Sequence, residues 1–299
     1  MQNLETFEDY AGNASADYNP LKKSVLEKTA VIISVVVPLI GVFIAIWTLW
    51  ERLIGWRELT IMLIGYVLTA LGITLGYHRM LTHRSFEANP VVKFIFLVLG
   101  SMALQGICFD WASNHIKHHA HTDKDEDPHS PLHGFFHSHL GWLVSGDRAD
   151  LQTYGKWMLK DPMIMFVGKT WYVWVIIGLV VPYLLAGWTG LVWGGLVRIF
   201  LLNHVTWSVN SVCHTFGDKM FLSDDESRNN WLVGLLALGE GWHNNHHAFP
   251  RSAFHGMRWY QFDLSSYIIM GMEKLGLVWN VQRVPEERKR ARLAPGHTL

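Results

Sequence analysis

Between Ala30 and Trp50 the chain runs without a single charged residue. Bilayer hydrocarbon is about 30 Å thick and a helix rises about 1.5 Å per residue, so about 20 mostly apolar residues suffice to cross it. A second apolar run, 59–76, follows the short polar link 51–58 and forms a helical hairpin with the first. Two more runs, 171–185 and 191–209, flank the tight Gly187-Trp188-Thr189-Gly190 link and form a second hairpin. The expected fold class is an all-α integral membrane protein with four transmembrane helices in two hairpins. Composition agrees, with 50% of residues hydrophobic and 17% charged.

A fifth apolar stretch, 91–109, is long enough to span but contains Lys93, Ser101 and Gln105. Lys22, Lys23 and Lys28 precede the first run, and Arg283, Arg288, Lys289, Arg290 and Arg292 crowd the tail. The positive-inside bias puts both ends in the cytoplasm, which requires an even number of crossings. Segment 91–109 is therefore expected to lie in the interface. The layout is an N-terminal segment 1–29, a membrane domain 30–282 and a basic tail 283–299, with the first twenty residues and the part after Pro285 expected to be mobile. The first thirty residues, with Glu5, Glu8, Asp9 and Asp17, do not read as a cleaved signal peptide. Lys plus Arg equals Asp plus Glu, 25 of each, so no basic field recruits nucleic acid. Cys108 and Cys213 make no CxxC pair, so neither a thiolate zinc site nor a disulfide framework is indicated.

Seventeen histidines are the anomaly, and they sit mainly in polar stretches outside the spans. His78 and His83 follow the second run. His115, His118 and His119 form an HxxHH cluster, and His243, His246 and His247 repeat it beyond the second hairpin. Asn210 and His214 lie one helical turn apart at the end of the fourth run. Residues three and four apart share a helix face, so each cluster groups three imidazoles. A lone histidine is usually a satisfied core or surface residue. Three grouped imidazoles would repel if protonated and waste polar atoms if buried neutral, whereas a divalent metal uses all of them as donors. Nine histidines exceed the needs of one ion, so two ions are implied. Imidazole suits Fe, Zn or Cu, while Mg and Ca prefer oxygen ligands. Spacing does not choose among the three. All clusters can meet on the cytoplasmic side if 91–109 does not cross, giving a helical, histidine-rich head on a four-helix stalk.

These motifs resemble a family. HRMLTHR at 78–84, HIKHH at 115–119, NSVCH at 210–214 and EGWHNNHHAFP at 240–250 are similar to the histidine boxes of membrane fatty-acid desaturases, in particular the stearoyl-CoA desaturase-like Δ9 branch of bacterial type. The resemblance covers roughly 66–282. It implies a cytoplasmic di-iron domain with two Fe ions held by the nine histidines, Asn210 acting through water, and O2 as co-substrate. It further implies a cis double bond, at Δ9, placed in a saturated acyl chain carried on CoA or membrane lipid. Animal acyl-CoA members carry Arg and Asp where this chain has Ser113 and Asn114. No GxGxxG, ferredoxin-type cysteine set or fused haem domain is evident, so electrons are expected from a partner such as a ferredoxin/reductase system. The expected location is the bacterial inner membrane, with the metal head and both termini cytoplasmic.

Supporting roles are expected for His121, Asp123, Asp127, His129 and Glu240, whose side chains could orient ligating rings by accepting the distal N–H. The plainer readings are a solvated loop for Asp123, Asp125 and Asp127, and a helix-start carboxylate for Glu240. His133, His137 and His139 continue the same loop. His204 and Arg198 lie in the fourth run, outside the ligand set. Trp111, Trp142, Trp207 and Trp242 either line an acyl tunnel or serve as interface anchors and packing. A related hydroxylase or alkane monooxygenase would use the same metals. A metal transporter would put ligands at span midplanes instead, and a purely structural membrane protein leaves the paired HxxHH clusters without a reason.

Overall fold

A computed structural model describes residues 22–145 and 148–299. The expectations for the first twenty residues lie outside the described residues. The structure is almost wholly helical. Helix α1 (Val25–Trp50) opens on a capping box, in which Ser24 Oγ accepts from the Glu27 N–H and Glu27 Oε2 accepts from the Ser24 N–H at 2.7 Å. Helix α2 (Trp56–Leu71) continues without a break into wide π-helical turns over Gly72–Thr82.

Helix α3 (Pro90–Ser101) starts with Asn89 as cap and Pro90 in the first position. It stops at Ser101, which corrects the expected helix 91–109. Leu104 and Gly106 both take positive φ, 59° and 94°, and turn the chain into α4 (Cys108–His121), so Cys108 and Phe109 belong to the next helix. At twelve residues α3 is about 18 Å long, too short to cross a bilayer. It packs closely on the π-helical turns. A Cβ on Gly72 would stand 2.1 Å from the Gly100 nitrogen, and one on Gly76 2.8 Å from the Phe96 oxygen, so glycine is what permits this approach. Leu75, Tyr77, Leu97, Cys108, Ala112 and Ile164 are fully buried around this crossing and form the main core. Ile164 comes from the short helix α5 (Pro162–Lys169).

Among the described residues, three helical runs are long and apolar enough to cross a membrane: Val25–Trp50, Trp56–Thr82 and Trp171–His214. The second is longer than the expected 59–76. The third merges the expected runs 171–185 and 191–209, but it is not straight. Helix α6 (Trp171–Gly190) is interrupted at Ala186 and Gly187, the latter at φ 63° and ψ −150°, a conformation that is essentially glycine's own. The chain then doubles back through π-helical turns (Leu191–Val197) into α7 (Arg198–Ser211). Pro182 of the outgoing arm packs against Gly190 and Gly194 of the return.

Arg198 is fully buried between these arms. Its guanidinium donates to the carbonyls of Gly194 at 2.7 Å, Met102 at 3.2 Å and Gly178 at 3.5 Å, and to Thr69 Oγ1 at 3.0 Å. No carboxylate pairs with it among the described residues.

Beyond α7 come the short helices α8 (Trp231–Leu236) and α9 (His243–Ala248), then α10 (Leu264–Lys274). Strands Glu87–Ala88 and Val278–Trp279 pair antiparallel. The tail is packed, which corrects the expectation of a mobile end. It forms a helical turn at Glu286–Ala291, its Leu293 bridges Phe221, and Arg292 Nη1 donates to the Ala248 carbonyl at the end of α9 at 2.6 Å.

Candidate metal centre

The wide turns of Gly72–Thr82 explain the spacing of the first histidine pair. On a regular α-helix residues five apart point well away from each other, at 3.6 residues per turn. A π-helical turn closes i to i+5 instead, and the His83 N–H donates to the His78 carbonyl at 3.0 Å. The two rings therefore meet edge to face, with their planes 82° apart and their Nε2 atoms 3.1 Å apart.

The two HxxHH clusters divide their rings reciprocally. From α4, His115 and His119 join His78, His83 and His246 in a group whose ligand atoms all lie within 4.8 Å of one another, while His118 joins His214, His243 and His247 in a second such group. From α9, His243 and His247 enter the second group and His246 the first. Each helix thus gives an i, i+4 pair to one group and the residue between to the other. Nine rings form a five-histidine and a four-histidine position side by side.

Donor chemistry fits a metal. Nε2 faces Nε2 at 3.1 Å for His78 and His246, 2.9 Å for His246 and His119, 3.1 Å for His119 and His115, and 3.1 Å for His214 and His243. Nitrogens bound to one cation at about 2.1 Å and at right angles lie about 3.0 Å apart, and trans pairs about 4.2 Å. Burial, reinforced by neighbouring imidazoles, pushes His83, His115, His118, His119, His243 and His246 well below the ordinary histidine range, so these rings are neutral donors at pH 7. Buried polar atoms left without partners cost about 1–3 kcal/mol each. A neutral ring whose Nδ1–H is donated to a carboxylate presents a bare Nε2, and two such acceptors facing each other have no proton to share unless a cation lies between them.

The distal nitrogens are held by carboxylates. His118 Nδ1 reaches Asp127 at 2.9 Å, His214 Nδ1 reaches Asp123 at 3.0 Å and His247 Nδ1 reaches Asp225 at 2.8 Å. In the five-histidine group only His78 has such a partner among the described residues, Glu240 at 2.6 Å. Glu240 also receives His255 Nδ1 at 3.2 Å, Arg79 Nε at 3.2 Å and the Thr74 hydroxyl. Its burial alone would raise the carboxyl, but His78, His255 and Arg79 hold it well below the usual range. Arg79, itself fully buried, pairs with Asp263 at 3.0 Å as well.

A cavity of about 480 Å³ opens beside these rings. His78, His115, His243 and Asn210 line it together with Ile73, Leu104, Trp111, Trp142, Trp171 and Trp207. Another part of its wall carries Lys23, Glu27, Asp110 and Arg148, where Glu27 pairs with Arg148 and Lys23 Nζ donates to the Leu143 carbonyl at 2.6 Å.

The model of a family described as fatty acid desaturase matches residues 53–280. The chain belongs to that family. It is a membrane-associated oxidoreductase in which the histidine clusters fit metal binding. This desaturase is 41% identical over 232 residues to an sn-1 stearoyl-lipid 9-desaturase of Anabaena variabilis, covering 76% of the present chain and 85% of the relative. It is 37% identical over 268 residues to a hex-5-enoyl-[acyl-carrier protein] acetylenase of Moorena producens (strain JHB), covering 83% and 84%. It is also 39% identical over 239 residues to an acyl-CoA C20 Delta5-desaturase of Anemone leveillei, covering 78% and 76%.

Within the desaturase, not every residue singled out in the sequence meets the clusters. His121 turns away, with Nε2 3.1 Å from the Tyr154 hydroxyl. His129 packs on the His118 ring at 4.3 Å, and its N–H donates to Asp127. His139 pairs with His204 at 3.0 Å, and His133 meets His137 edge to face. Trp242 is no part of the cavity wall. It packs on Gly234, and its Nε1 donates to the Phe262 carbonyl at 2.8 Å. Asp225, His255 and Asp263 carry no motif that marks them in advance, and Arg79 lies inside the HRMLTHR motif without being singled out there. The one usable signal for Asp225 was its place in a short acidic loop between His214 and His243.

Proposed function

We propose that this chain is an oxygen-dependent acyl desaturase that binds two Fe ions, one at the five-histidine and one at the four-histidine position, and places a cis double bond, at Δ9, in a saturated acyl chain. The observation that carries this reading is that two converging imidazole groups open on a single apolar cavity. Bound iron supplies oxygen activation, which no side-chain acid or base can offer to an unactivated methylene. Overall, one O2, two external electrons and two protons remove two chain hydrogens and leave two waters. The protein's own residues do the aiming. Trp111, Trp142 and Trp207 give the chain an apolar path, and Asn210, one turn before His214, is a weak arm acting through water.

In this reading the helical hairpins make four crossings, with the head, both termini and α3 on the cytoplasmic side of a bacterial inner membrane. The domain limits are 30–282 with flanking segments 1–29 and 283–299. Among the described residues, the charged groups on the cavity wall are Lys23 and Arg148 against Glu27, Asp110 and Glu240, so the wall carries no net positive charge. A carrier with clustered phosphates gains no net attraction there, which favours a membrane lipid over CoA. Electrons come from a separate donor of the ferredoxin/reductase kind. Expression in a host that requires unsaturated fatty acids, with identification of the olefins and their carriers, tests the proposal. Hydroxylated products without olefin would overturn it in favour of an oxygen-inserting enzyme.

A further inference from the structure

The two histidine groups have unequal surroundings. Three of the four rings in one group, His118, His214 and His247, each donate Nδ1–H to a carboxylate of their own. Those carboxylates are locked in turn. Asp127 accepts the N–H of Asp123 at 3.0 Å and of His129 at 3.1 Å, Asp123 accepts that of Glu226 at 2.6 Å, and Asp225 accepts that of Ser227 at 3.0 Å. In the other group His83, His115, His119 and His246 meet no carboxylate among the described residues; a buried Nδ1 without a partner occurs once in each group, at His243 and at His246. The one carboxylate there, Glu240, is shared between His78 and His255 and offset by the Arg79 guanidinium.

We propose that the two metal positions differ in affinity, the four-histidine position being the tighter, and that Asp123, Asp127 and Asp225 are the positioning residues that set the difference. A carboxylate on the distal nitrogen fixes the tautomer that leaves Nε2 free, orients the ring and raises its basicity, and each such partner is worth about 10–100-fold in metal affinity. Three negative charges close to the ion add attraction that Arg79 removes from the other position. The fifth imidazole works in the opposite direction. It replaces a water on an ion that would fill that place anyway, so it gains less than two extra carboxylate partners do.

This inference rests on the histidines being metal ligands, and the test separates the two claims. Metal-stripped full-length protein in detergent is titrated with Co2+ without oxygen, and binding is followed by visible absorption and by equilibrium dialysis. The wild type binds in two steps. His118→Ala removes the tight step and His83→Ala the weak one. Asp225→Asn weakens the tight step by about 10–100-fold and leaves the weak step unchanged. Asp127→Asn does the same, which keeps the test decisive if one variant fails to fold by circular dichroism. Two ions bound with one affinity, or an Asp225→Asn effect on the weak step, would overturn the inequality. Wild-type binding in both His118→Ala and His83→Ala would overturn the ligand reading itself.

Discussion

His118 and His246 are each the middle ring of an HxxHH cluster, and each crosses to the group its neighbours do not join. Replacing either with Ala should lower bound iron and olefin yield at least tenfold, as measured by metal analysis of anaerobically purified protein. Asn210 makes a sharper test. Asn210→Ala should keep most of the iron and lose most turnover, while His214→Ala loses both; near-normal turnover of Asn210→Ala would leave it a structural residue. At the cavity wall, burial and the nearby Arg148 push the Lys23 ammonium down to about 8. It is charged below that value and neutral above it, so the wall loses a positive charge and becomes more negative as pH rises through about 8. The KM for an anionic lipid should then rise while that for an uncharged lipid stays level, and Lys23→Met should flatten the difference. Six of the nine rings were legible in the sequence because two HxxHH clusters repeat at helical spacing, while His78, His83 and His214 were marked by the histidine boxes they resemble. Asp225 and His255 were not, because each reaches its partner through a loop with no period to read.

Between α2 and α3 the fit is set by backbone meeting backbone. A methyl on Gly72 would press on the Gly100 nitrogen, which has no side chain to swing away. Gly72→Ala should cost about 1–3 kcal/mol and lower the thermal midpoint in detergent. Its larger effect should be on metal retention, since the same turns hold His78 against His83. The apolar runs were readable because length and lack of charge are enough to mark a span. The wide turns were not readable, because a π-helical stretch has the composition of an ordinary helix. The end of α3 hinges on two positive-φ residues, Leu104 and Gly106, and only the glycine hints at it.

For the whole molecule, the proposed orientation has a direct check. Single cysteines at Glu87 and Asp125, both exposed, should react with a membrane-impermeant reagent from the same side, and one at Arg52 from the opposite side. Labelling of Glu87→Cys and Asp125→Cys from opposite sides would break the topology and, with it, the shared site. Trp50 and Trp56, each 85% exposed at the turn of the first hairpin, belong at the far interface in this orientation.

Arg198 adds an order of events. A guanidinium at the middle of an inserting helix costs about 2.5–3.5 kcal/mol, and here, besides the Gly194 carbonyl on its own arm, its partners are Thr69 on α2, Met102 just after α3 and Gly178 on the opposite arm. None of the latter is available to α7 alone. In the proposed four-crossing topology, the return arm would enter the bilayer against helices already in place, with the first hairpin and α3 as the template on which the second hairpin is received.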